Sequence, residues 1–265
     1  MSFLTFTQEM LGADLIELEF CRKKGTEWFK LIDDCIYLNV YIRKTSGGII
    51  EIYCKARSLF SPFLDGFMHM NQVNSIFRQF RQSIGKESFA VHFEEKDLEY
   101  AERMINNGRK MFSIVKPLLA SVNDLQTCLT VEERLSYLEV FHGRSILLGR
   151  PYTQEDDTVF PPEDCFFLLY VLGRHEEAAE YLKRSVDNYL RDYYRSVNDL
   201  ELVELHRERL SPFIRMIEAG EHEKLYNLIT ENYHHACDLL EERYRIKIDR
   251  NNGLGHVHMI ANVTE

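Results

Sequence analysis

The clearest structural signal in this chain is CIYLNVYIRKTSGGIIEIYC, which runs from residue 35 to residue 54. In its first half, apolar side chains alternate with polar or aromatic ones, and this is the period of a β-strand. Thr45-Ser46-Gly47-Gly48 supplies turn residues, and the alternation resumes over residues 49–54. Two such runs joined by a short glycine-containing turn predict a β-hairpin.

Two further strands are predicted around this hairpin. Upstream, residues 27–33 predict a strand that ends in an Asp33-Asp34 turn, and downstream, residues 88–94 predict another. Before them, a capping box at residues 5–8 and leucines at helical spacing predict a first helix over about 7–22.

From about residue 97 the apolar residues recur at the period of a helix. The first of these helices contains Pro117, which should interrupt it near its end. Residues 130–133 fit a second capping box, and residues 165–172 with the segment after Gly173 predict a helical hairpin. Ser211-Pro212 predicts a helix start, and residues 222–247 predict the last long helix.

These patterns predict an α+β fold with a small antiparallel sheet of three to four strands, followed by a mainly helical region. We expect an α+β domain at 1–128, a helical domain at 129–250 and a loose C-terminal tail at 251–265. Apolar residues make up 45% of the chain and charged residues 28%, which is typical of globular proteins rather than disordered ones.

The sequence favours a cytoplasmic location. The N-terminal stretch lacks the basic region of a signal peptide, and Glu9, Asp14, Glu17 and Glu19 interrupt it. The longest apolar run has eight residues (165–172), whereas a helix that spans a bilayer needs about 20. The six cysteines form no C-x-x-C pair and lie in or beside apolar stretches, so they are expected to act as small hydrophobic residues in a reducing compartment.

The net charge of −10 lies entirely in the second half of the chain. Residues 1–130 contain 16 acidic and 16 basic residues, whereas residues 131–265 contain 26 acidic and 16 basic ones. The loop at 150–164 holds three prolines and five acidic residues, and we predict that the acidic ones bind a partner: Glu155, Asp156, Asp157, Glu163 and Asp164. A negative surface suits a basic protein and repels nucleic acid.

The sequence shows no catalytic signature, and we predict no catalytic residues, no metal ligands and no cofactor. It has no phosphate-binding glycine motif, no G-x-S-x-G elbow and no H-E-x-x-H. The candidate zinc ligands are His222, the adjacent His234 and His235, and the pair His256 and His258. None of them has enough further ligands nearby in the sequence to complete a zinc site.

The stretch FCRKKGTEWFKLIDDCIYLNVYIRKTSGGIIEIY, from residue 20 to residue 53, resembles an uncharacterised bacterial domain family. The resemblance rests on Lys23-Lys24-Gly25, on Trp28-Phe29 and on the strand spacing, and it covers about the first 120 residues. Members of that family are found near polymorphic-toxin immunity genes. The resemblance therefore implies a role in toxin immunity, and it implies no catalytic residues.

Three functions stay open at this point. The first is a protein-binding protein, an immunity protein that neutralises a basic toxin by occlusion through its acidic surface. The second is a helical adaptor or regulatory protein that binds a peptide or host factor through the hairpin at 165–195. The third is a hydrolase with an unrecognised site that uses His142 or His175.

Overall fold

The computed structural model of the chain describes residues 2–24, 26–44, 50–61, 98–132, 163–188 and 200–257. It contains a four-stranded antiparallel sheet near the N-terminus, followed by helices, which confirms the predicted α+β fold. The elements in chain order are α1 (Phe3–Glu17), β1 (Cys21–Lys24), β2 (Glu27–Ile32), β3 (Ile36–Lys44), β4 (Ile50–Ser58), α2 (Leu98–Ala120), α3 (Glu163–Val171), α4 (His175–Asn188), α5 (Leu200–Glu218), α6 (His222–Tyr244) and α7 (Arg250–Gly255). Residues 125–132 are also helical.

The sheet is a meander in which each strand pairs with the next one in the sequence, in the order β1-β2-β3-β4. The β2–β3 turn has positive φ at both Asp33 (49°) and Asp34 (54°), and the amide of Cys35 donates to the carbonyl oxygen of Ile32. Positive φ at both central residues is the type I′ geometry, whose twist matches that of paired strands. The predicted Asp33-Asp34 turn is therefore confirmed.

Strand β3 is buried on both faces. Ile36, Leu38, Val40 and Ile42 on one face are at most 1% exposed. Tyr37 and Asn39 on the other face are buried as well. Antiparallel sheets often leave one face in water. Here α6 contacts the second face, where Tyr244 stacks on Phe29 of β2 with ring centroids 4.3 Å apart.

Helices α1 and α2 lie against each other and are linked by polar contacts. Lys116 Nζ lies 2.7 Å from a carboxylate oxygen of both Asp14 and Glu17. Arg109 donates to the backbone oxygens of Glu9 and Met10. These contacts hold the N-terminal helix beside α2.

Helices α3 and α4 form the predicted hairpin, with Gly173 at φ 77° in the turn between them. Glycine adopts a positive φ at less cost than residues with a side chain, so the residue type and the turn agree. Every residue of α3 from Cys165 to Val171 is at most 5% exposed. The predicted apolar run at 165–172 is therefore a helix buried within the protein.

Several predicted boundaries are wrong. Helix α1 starts earlier than predicted, because Ser2 and not Thr5 caps it, and its predicted last residues form β1 instead. Residues 125–132 are already helical before the expected start at Thr130, because Asp124 caps this helix by accepting from the amide of Thr127, whose hydroxyl accepts in turn from the amide of Asp124. Pro212 lies inside α5 rather than at a helix start.

Helix α7 occupies the start of the segment predicted to be a loose tail. Asp249 caps it by accepting from the amides of Asn251 and Asn252. Asn252 Nδ2 in turn donates to the Asp34 carboxylate 2.9 Å away, in the β2–β3 turn. Contacts between α6, α7 and the sheet thus cross both predicted domain boundaries, and the division at 1–128, 129–250 and 251–265 stays a prediction. The predicted strand at 88–94 lies outside the described residues.

Candidate functional site

The acidic residues predicted to bind a partner fall mostly outside the described part of the chain. Glu155, Asp156 and Asp157 lie there, whereas Glu163 and Asp164 are the first two residues of α3. The described residues therefore do not show these five acidic residues as one surface. The acidic character of the second half is visible instead on α6.

The exposed face of α6 carries a row of carboxylates that sequence reasoning did not single out. Glu223, Glu231 and Glu242 are exposed and make no ion pair with any residue that the structure describes. Asp238 lies on the same face and pairs with Arg250 at 2.6 Å. The opposite face is apolar and buried, with Leu225, Ile229, Tyr233, Ala236, Cys237, Leu240 and Tyr244. In the sequence, the spacing of Glu223, Glu231 and Glu242, which are eight and eleven residues apart, indicates that they share one side of a helix.

Two of the histidines considered in the sequence come together. The rings of His175 and His222 have centroids 5.3 Å apart, and the ring of Tyr170 lies 4.4 Å from that of His175. The Tyr170 hydroxyl is 3.0 Å from Nδ1 of His222. Tyr170 was not predicted to belong to a site, because nothing in a buried apolar run marks its hydroxyl as distinct.

The environment of His175 and Tyr170 favours the neutral form of each. Burial lowers the pKa of His175, and the neighbouring His222 lowers it further, against an opposing hydrogen bond with the Tyr170 backbone. Burial raises the pKa of Tyr170 to about 12. Among the described residues, no carboxylate is hydrogen-bonded to either imidazole.

A second polar cluster lies between the sheet and α6. Glu27 on β2 accepts from the Tyr244 hydroxyl, from Asn39 Nδ2 at 3.2 Å and from Arg243 at 2.8 Å. Asn39 also donates to the Tyr37 hydroxyl, which lies 2.5 Å from the Tyr244 hydroxyl. Burial raises the pKa of both tyrosines.

The hydrogen bonds of this second cluster can all run in one direction. Asn39 donates to Tyr37, Tyr37 donates to Tyr244, and Tyr244 donates to Glu27, whose charge Arg243 neutralises. Each buried hydroxyl thus has both a donor and an acceptor, as buried polar groups require. The arrangement serves to attach α6 to the sheet.

Other sequence candidates are not assembled into a site. Within the described ranges no group of three or more His, Cys, Asp or Glu side chains is arranged to hold a metal ion. His142 and His258 lie outside those ranges. None of the helices described is both long enough and apolar enough to cross a membrane.

Comparisons with known proteins give no relative of this chain. No family model, no curated protein and no solved structure matches it.

Proposed function

We propose that this chain is a protein-binding protein whose acidic second half docks a basic partner. The observation that carries the proposal is the row of exposed carboxylates on α6, in the half of the chain that holds the whole net charge of −10. Carboxylates that form no ion pair within the protein can attract the cations of a partner, and such electrostatic attraction steers association with basic proteins.

More specifically, we propose an immunity protein that neutralises a basic toxin by covering its active site. The acidic residues predicted at 155–164 and the carboxylates of α6 belong to the same acidic half. Carboxylates of this surface would pair with cationic groups around the active site of the target. A toxin gene adjacent to the gene of this protein would support this form of the proposal.

The experiment is a pull-down from the native host with the tagged protein at low and high salt. We expect a basic partner that is recovered at low salt and lost at high salt, because exposed ion pairs are screened. The variant E231K/E242K should lose the partner. Its matched control is E9K/E102K, which reverses two exposed charges on α1 and α2 in the neutral half.

Two results would contradict the proposal. One is recovery of no partner at low salt. The other is equal recovery of the partner by E231K/E242K and by E9K/E102K, since binding would then not depend on the acidic face of α6.

The adaptor alternative has less structural support. Its binding surface was expected on the hairpin at 165–195, but the residues of α3 from Cys165 to Val171 are buried on all sides. Among the described residues of this hairpin, a peptide could therefore reach those of α4. The hydrolase alternative names His142 or His175. His142 lies outside the described residues, and among the described residues His175 has His222 and Tyr170 beside it and no hydrogen-bonded carboxylate.

A further inference from the structure

Three helix ends meet around the histidine pair. Tyr170 lies one residue before the end of α3, His175 is the first residue of α4, and His222 is the first residue of α6. The junction therefore joins the α3–α4 hairpin to the start of the helix that contacts the sheet. It contains three ring pairs, and the Tyr170 hydroxyl lies 3.0 Å from Nδ1 and 3.5 Å from the backbone oxygen of His222.

Both histidines occupy positions where a positive charge is unfavourable. The first turn of a helix carries the positive end of the helix dipole, which disfavours a cation there. Helices α4 and α6 have 14 and 23 residues, so each has a full dipole. A second imidazolium with its ring centre 5.3 Å away adds direct repulsion.

The charged groups around the junction are mostly engaged with one another. Next to His175, Arg174 forms an ion pair with Glu177. Next to His222, Lys224 pairs with Glu221. Helix α5 contributes Glu218, which pairs with Lys183 of α4, and Arg215, which donates to the carbonyl oxygen of Ser211.

The two carboxylates that adjoin the histidines in sequence do not bind them. Glu176 and Glu223 are exposed, and neither is hydrogen-bonded to an imidazole. Solvent screening weakens the field of an exposed carboxylate. Protonation of the pair is therefore not compensated by a bound counter-charge among the described residues.

We propose that His175, packed against His222 and Tyr170, forms a pH-sensitive junction that holds the α3–α4 hairpin against the start of α6 while the His175 ring is neutral and loosens when that ring is protonated. The proposal does not depend on the proposed function. It assigns a regulatory role to His175, which the protein places beside His222 where two helix N-termini meet.

The direction of the pH effect follows from the lowered pKa of His175. In the unfolded chain, His175 takes up a proton as the pH falls through the ordinary histidine pKa of 6.5. In the folded protein, it takes up the proton only at a lower pH. The stabilisation is therefore complete above pH 6.5 and is lost as the pH falls towards the lower folded pKa. A loss of stability between neutral and mildly acidic pH is the signature.

The first experiment measures the urea midpoint of the full chain at pH 7.5, 6.5 and 5.5. We expect the wild type to lose stability as the pH falls, and H175Q/H222Q to lose clearly less. The control H256Q removes a histidine at the end of α7, outside the junction, and should show the pH dependence of the wild type. Equal pH dependence in the wild type and H175Q/H222Q would overturn the proposal.

A second experiment does not require that the double variant H175Q/H222Q folds. NMR titration of the wild-type imidazoles should give His175 a pKa below 6.5, and H222Q should raise it towards that value. Hydrogen-exchange protection should fall at low pH more for residues 173–178 and 222–226 than for β3. A His175 pKa at or above 6.5, or an equal fall in protection in β3, would overturn the proposal.

Discussion

At the scale of single residues, Tyr244 is the point where the last long helix is fixed to the sheet. Its ring stacks on Phe29, and its hydroxyl lies between the hydroxyl of Tyr37 and the carboxylate of Glu27. A buried hydroxyl that has lost its partner costs more than the bond itself contributes. The substitution Tyr244→Phe would leave both the Tyr37 hydroxyl and one oxygen of Glu27 with fewer partners.

We therefore expect Tyr244→Phe to lower the free energy of unfolding by about 1–2 kcal/mol. The control is Tyr226→Phe on the same helix, whose hydroxyl makes no hydrogen bond to the described residues, and it should change stability little. Urea unfolding followed by circular dichroism measures both. If the two variants are equally stable, the hydroxyl of Tyr244 does not contribute to holding α6 on the sheet.

At the scale of elements, α7 docks on the turn between β2 and β3 through a close approach at Gly253. A Cβ atom at this position would lie 2.0 Å from the Tyr233 hydroxyl and 2.8 Å from the backbone oxygen of Asp34. The same two atoms share a hydrogen bond of 2.9 Å. A side chain at position 253 must therefore separate α7 from the turn or displace Tyr233.

Gly253→Ala should accordingly destabilise the protein by about 1–3 kcal/mol, the usual range for overpacking a buried site. Gly255→Ala, two residues along the same helix, adds its Cβ in open space and should be neutral or slightly stabilising. Thermal unfolding of the two variants side by side gives the comparison. A neutral Gly253→Ala would show that α7 is not held against the turn.

Elements with a strong local signal could be predicted from the sequence. The alternation at 35–43 and the turn residues Asp33 and Asp34 act locally, so the strands and their turn were found. Elements that depend on pairing with another segment rather than on a pattern of their own were not found. Strand β1 exists because Cys21 and Arg22 pair with Phe29 and Trp28, and no periodicity marks it.

The predictions of helix boundaries were wrong for a related reason. Ser211-Pro212 has the residue types of a helix start, but α5 continues through it, and the missing amide of a proline can be tolerated where tertiary packing favours the helix. Phe213 is buried against Phe166 and Phe167 of α3, with ring centroids 5.9 and 5.1 Å away. Packing of this kind is invisible to a local pattern.

The candidate sites show the same limit. His175 and His222 could be named as candidates by residue type, but not as neighbours, because 47 residues separate them in the chain. The polar cluster at Glu27 joins β2 to a helix more than 200 residues later, and its hydrogen bonds depend on that contact. Only the charge asymmetry, which needs no contact, could be read directly.

At the scale of the whole molecule, the first and last parts of the chain share one core. Tyr37 and Tyr244, which are 207 residues apart, meet between the sheet and α6. Five of the six cysteines are buried in this protein, in both the sheet and the helices, and only Cys21 is exposed. Burial raises the pKa of Cys35 to about 12 and that of Cys237 to about 11.

Thiol reactivity therefore reports whether this shared core is intact. Only Cys21 should react quickly with an aryl disulfide such as dithiobis(nitrobenzoate) in the native protein, because the thiolate is the reactive form and the reagent cannot reach a buried sulfur. All six thiols should react in urea, and Cys21→Ser should remove the fast one. A fast-reacting thiol in Cys21→Ser under native conditions would show that the sheet and the helices separate readily, and it would support the predicted division into an α+β domain and a helical domain.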